Sequence, residues 1–147
     1  MLLYDFIIKK YIKSALEEDV GYDDISTSSL ICFDKEITAL FKARQEGVLC
    51  GRRVFELVFE IVSNGRVKIE FFFNDGDFIK KNTTIAKITG SALSILTAER
   101  LALNFVQRMS AIATNTRKYV EALKGTGTKI ADTRKNIVVL SYSLILH

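Results

Sequence analysis

Two groups of residues carry side chains suited to gripping an anion. In the first, Arg100, Asn104, Gln107 and Arg108 succeed one another at short intervals. Steps of three and four put Arg100, Asn104 and Gln107 on one face of a helix. A guanidinium placed there can hold a carboxylate through two parallel hydrogen bonds. The same spacing also describes a solvated polar face, and spacing alone leaves both readings open. In the second group, Asp132, Thr133, Arg134 and Lys135 set a hydroxyl, a planar fork and a point charge side by side. If they end a strand of a parallel α/β unit, they stand where open sheets and barrels place their ligands. Together they suit a dicarboxylate or a phosphate. An exposed loop is the alternative.

Other polar clusters carry less. The carboxylates Glu17, Glu18, Asp19, Asp23 and Asp24 lack the spacing of a calcium loop and read as loop and cap residues. Cys32 and Cys50 have no paired-cysteine spacing, and the one histidine is His147, which excludes a zinc site. Both cysteines are expected as reduced, buried thiols in a cytoplasmic protein, although parity also permits a disulfide.

The elements that must position these groups follow from periodicity. Phe6, Ile7, Tyr11, Ile12 and Leu16 mark a helix over Asp5–Leu16, followed by the loop chemistry of EEDVGYDDISTSSL. ITALFKAR reads as a strand, and VLCGRRVFELVFEIV starts extended and turns helical through Val54, Leu57, Val58 and Ile61. SNG breaks that helix. In RVKIEFFF, Val67, Ile69, Phe71 and Phe73 alternate with charged residues, as in a half-buried strand. NDGD is a turn signal, and FIKKNTTIAKITG supplies one or two short strands up to Gly90. The block DGDFIKKNTTIAKITG resembles the hammerhead of biotinyl and lipoyl carriers but lacks their modifiable lysine tip, so a structural role is expected. The longest element is a helix over Ser94–Lys124, with an apolar stripe running from Ile95 to Leu123 and a stop at Gly125 and Gly127. TKIAD then reads as a short strand.

Composition agrees with a folded domain. The chain has 147 residues, 48% hydrophobic and 26% charged, which excludes a disordered chain. Its net charge is +4 and its pI about 9.1, with no long basic block. That balance suits an anionic small molecule as readily as nucleic acid. The N-terminus lacks the apolar core of a signal peptide, and no run approaches the roughly 20 apolar residues of a membrane span.

In this order, EEDVGYDDIST, ARQEGVLCG, DGDFIKKNTTIAKITG, LTAERLALNFVQRMSAIAT and ADTRK resemble the quinolinate phosphoribosyltransferases of NAD biosynthesis. Ala111 stands where that family usually has glycine, and the related ModD-type proteins share the pattern. The resemblance implies an α+β fold: an open α/β sandwich with a long helix over residues 1–109, then the start of an α/β barrel over residues 110–147. It implies transfer of ribose phosphate from phosphoribosyl pyrophosphate to quinolinate, with loss of carbon dioxide and pyrophosphate, assisted by Mg²⁺ whose ligands lie outside this sequence. It implies that Thr133, Arg134 and Lys135 bind quinolinate, and that Arg100 reaches into the partner subunit's site in a homodimer. No nucleic-acid or membrane partner is expected.

The resemblance stops at Lys135. NIVVLSYSLILH stands in place of a Thr-Pro-Gly type turn and the remaining barrel. A frameshift or truncation after Lys135 is the expectation, with a catalytically silent chain as its consequence. A naturally short, non-catalytic dimerising or binding module is the alternative.

Overall fold

The structure is a computed structural model, and it describes residues 2–20 and 35–131. The architecture rests on Phe55, which is buried at the meeting point of a helix and a sheet. Its ring stacks on Phe41 at 5.2 Å, tilts against Phe59 at 4.9 Å and meets the edge of Phe71 at 5.6 Å. Such offset and edge arrangements suit the ring quadrupoles and add to the gain from burial.

The chain opens with helix α1 (Leu2–Val20), followed after the undescribed stretch by strand β1 (Glu36–Lys42). Next come the short strand β2 (Gly47–Val48), helix α2 (Arg52–Ser63) and strand β3 (Lys68–Phe71). Strands β4 (Phe78–Ile79) and β5 (Thr84–Ser91) precede the long helix α3 (Ala92–Ala122). The larger sheet has the order β1-β5-β3, antiparallel throughout. Its register pairs Glu36 with Ser91 and Lys68 with Thr89. Strands β2 and β4 form a separate antiparallel pair.

Alternation decides which face of the sheet is covered. Ala39 and Phe41 of β1, Ile69 and Phe71 of β3, and Ile88 of β5 pack into the core. Val54, Phe55, Leu57, Val58 and Phe59 cover it from α2, and Ile95, Ala98, Leu101, Ala102, Val106 and Met109 from α3. The opposite sheet face carries Thr38, Leu40, Lys68, Glu70 and Lys87, all exposed, together with half-buried Thr89.

Two turns are built by local chemistry. Gly51 caps the start of α2 at φ 105°, and its carbonyl accepts from Phe55 N–H at 3.0 Å. A Cβ added there would lie 2.8 Å from Met109 Sδ, so glycine serves both the backbone angle and the approach of α3. At the other end, Asn64 adopts φ 51° and ends the helix. Buried Ser63 donates to Phe59 carbonyl at 2.7 Å and accepts from Val67 N–H at 3.1 Å, joining α2 to the approach to β3.

Three expectations need correction. Helix α1 extends through Glu17 and Glu18 to Val20, where the sequence leads one to expect a loop, because nothing before Gly21 breaks the helix. Its buried stripe is Ile8, Ile12, Ala15 and Leu16, whereas Phe6 is 70% exposed. The packed set keeps one helical face, which the set containing Phe6 does not. Residues 128–131 form no strand, since the described residues offer them no neighbour to pair with.

Truncating Phe55→Ala removes the ring shared by three others and should cost about 3–5 kcal/mol of stability, read from urea unfolding midpoints. At the surface, the Asp5 carboxylate accepts from Arg53 at 2.6 Å, and this bond holds its pKa below the usual value. The pair therefore favours the folded state above the ordinary carboxylate pKa and loses that preference as pH falls through the lowered one. Asp5→Asn should flatten this acid-side part of the stability curve, measured by thermal unfolding against pH.

Candidate functional site

The candidate site is the outer face of α3, and the sheet sets its position. Strand β5 runs directly into α3, and Ser91 caps the junction by accepting from Ser94 N–H at 3.1 Å. From Ile95 to Met109 the buried residues lie on one side of the helix. At 100° per residue, Arg100, Asn104 and Gln107 fall on the opposite side. All three are exposed, as is Arg108.

Ion pairing is uneven along α3 and just past its end. Arg117 and Lys124 both pair with Glu121. Among the described residues, Arg100, Arg108 and Lys118 make no ion pair. Two exposed leucines, Leu93 and Leu96, share the outer face with Arg100. A guanidinium beside apolar surface, with its donors unspent, is suited to a bidentate bond with a carboxylate or phosphate of another molecule.

A second device holds the helix in place, and residue spacing did not reveal it. Ser110 Oγ accepts from Cys50 N–H at 3.0 Å and donates back to Cys50 carbonyl at 3.2 Å. One turn on, Thr114 Oγ1 accepts from Val48 N–H at 2.8 Å and donates to Ser110 carbonyl at 2.6 Å. A Cβ on Gly47 would lie 2.7 Å from Thr114 Oγ1, so the glycine permits this contact. The only trace in the sequence is a hydroxyl pair four residues apart, which is also common on solvated helix faces. Cys50 itself is a free, half-buried thiol whose pKa is raised by burial and, to a lesser degree, by nearby Asp75. It is therefore a poor nucleophile.

From Ile112, between the two clamp residues, the expected apolar stripe is uncovered. Ile112 and Tyr119 are each 66% exposed, and Val120 is also exposed. Thr133, Arg134 and Lys135 lie outside the described residues, as do Asp23, Asp24 and Cys32. No group of three His, Cys, Asp or Glu side chains among the described residues could hold a metal ion. The described donors therefore do not fit the Mg²⁺ that the resemblance implies. No described helix is long and apolar enough to cross a membrane.

Fold and surface together define a small α+β domain whose long helix holds unpaired cations away from the core. Residues 24–110 match the model of the quinolinate phosphoribosyl transferase N-terminal domain. The chain is 39% identical over 129 residues to the chloroplastic nicotinate-nucleotide pyrophosphorylase [carboxylating] of Arabidopsis thaliana. It is 35% identical over 128 residues to a probable enzyme of the same name in Bacillus subtilis. Each match takes in 87% of this chain, but 36% and 44% of those relatives. Among solved structures, the nicotinate-nucleotide pyrophosphorylase of Francisella tularensis superposes with a TM-score of 0.84 at 33% identity. That match covers 91% of this chain and 47% of the other. The corresponding protein of Ehrlichia chaffeensis gives 0.73 at 36% identity, covering 79% and 42%. The chain belongs to the quinolinate phosphoribosyltransferase family and spans less than half of these relatives.

The clamp makes a direct test of helix placement possible. Ser110→Ala leaves Cys50 N–H without its acceptor and should lower stability by about 1–3 kcal/mol. It should also speed amide hydrogen exchange at Val48 and Cys50 more than in α2.

Proposed function

We propose that this chain serves phosphoribosyl transfer to quinolinate, as the N-terminal domain (residues 1–109) and the beginning of the following domain (residues 110–147). The complete reaction joins the ribose phosphate of phosphoribosyl pyrophosphate to the quinolinate nitrogen and releases pyrophosphate and carbon dioxide. The observation that carries this reading is Arg100: exposed, unpaired among the described residues, and set on the helix face opposite the core. A homodimer is part of the proposal, because the family resemblance implies that Arg100 reaches into the partner subunit's site.

The chemistry supports such a division of labour. Quinolinate carries two carboxylates, and taking them out of water requires cations and hydrogen-bond donors to replace the lost solvation. Arg100 would supply one fork from the partner, while Thr133, Arg134 and Lys135 would hold the carboxylates from the chain's own second domain. Their role would be to orient the pyridine nitrogen toward the ribose carbon. Positive charge developing at that carbon requires positioning and a matched field more than covalent help. The Mg²⁺ of the family would supply charge neutralisation for the pyrophosphate, and no described residue is assigned to hold it.

Alone, the chain should give no nicotinate mononucleotide above background. Co-expressed with a full-length relative whose own helix arginine is replaced by alanine, it should restore activity by donating Arg100. Arg100→Ala in this chain should reduce that rescue by about 10²–10³-fold, the usual cost of one transition-state donor. A stable mixed dimer with no rescue would favour the non-catalytic binding module instead.

A further inference from the structure

A concave cleft of about 380 Å³ opens where β1 and β3 begin and β5 ends. Lys35, Arg66 and Lys68 line it, against one carboxylate, Glu36. Thr89 and Ser94 also line it, whereas Arg100 does not. Ser94 and Arg100 are separated by about 9 Å along α3 and about 120° around it, and Arg100 does not line the cleft, so the cleft is distinct from the proposed catalytic face.

The backbones carrying the three cations are fixed by the fold. Lys35 carbonyl accepts from Ala92 N–H at 2.8 Å. Arg66 is held twice to Ser63 carbonyl, through its own N–H at 3.2 Å and through Nε at 3.1 Å. Lys68 sits opposite Thr89 in the β3–β5 register. None of the three makes an ion pair among the described residues, whereas Lys9, Arg52, Arg53, Arg117 and Lys124 all do. The N–H of Ser94 is already taken by Ser91 Oγ, so any attraction comes from the side chains.

We propose that this cleft binds a small phosphate-bearing molecule. Three cations facing one carboxylate leave an excess of positive charge that a single carboxylate ligand would not balance. A phosphate group carries about 1.5 to 2 negative charges near neutral pH, a pyrophosphate more, and both offer several acceptor oxygens. Either can take the Nη donors of Arg66, whose Nε is already bonded to Ser63, and the two lysine point charges together. The volume falls within the range of small-molecule sites.

The test is titration of the full chain with inorganic pyrophosphate at fixed ionic strength, followed by amide shifts and calorimetry. Saturable shifts should centre on Thr89 and Gly90, and malonate should compete at least tenfold more weakly. Lys35→Ala with Lys68→Ala should weaken binding at least tenfold. Lys80→Ala with Lys81→Ala, which removes the same charge from an exposed turn, should change it less than twofold. Circular dichroism checks that both variants fold. Equal losses in the two double variants, non-saturating shifts spread over the surface, or malonate binding as tightly would each overturn the proposal.

Discussion

The apolar side of α3 between Ile95 and Met109 has to be removed from water, and one surface among the described residues accepts it. That surface is built from α2 and the inner face of the three-stranded sheet, meeting around Phe55. Burial of this kind is non-directional. Its direction comes from the two periods that meet there, 3.6 along the helices and 2 along the strands. Once the stripe is seated, the rotation of α3 about its own axis is set. The outward course of Arg100, Asn104 and Gln107 follows from that rotation.

Directional bonds then fix what packing leaves loose. The hydroxyls of Ser110 and Thr114 bond the backbone of Val48 and Cys50, which the short β2–β4 pair leaves partly unsatisfied. A helix of 31 residues runs about 46 Å, well past the core of a small domain. The clamp therefore sits where seated helix gives way to uncovered helix. From within it onward, Ile112, Tyr119 and Val120 keep the spacing of a packed stripe without cover from the described residues.

Membership of the phosphoribosyltransferase family connects these features. The Arabidopsis thaliana and Bacillus subtilis relatives are more than twice as long as the portion matched here. A rigid helix presenting a cation outward is suited to completing a site that another domain or subunit begins. The basic cleft lies elsewhere on the sheet. Its charges arise from strand register and a helix cap, not from the helix face that carries Arg100.

Much of this was legible in the residues. The 3.6 period from Ile95 to Met109, the alternation of Val67, Ile69, Phe71 and Phe73, and the breakers Asn64 and Gly65 specify element type locally, because each acts through its own backbone and near neighbours. The same local logic placed Arg100, Asn104 and Gln107 on one face. Other features required the assembled molecule. Which part of α1 is buried depended on where α2 and α3 lie, so Ile8 replaced Phe6. The strand expected at residues 128–131 lacked a described neighbour, since a strand exists through its partner. The Ser110–Cys50 bonds and the meeting of Lys35 with Lys68 join residues far apart in the chain, and periodicity carries no record of such distances.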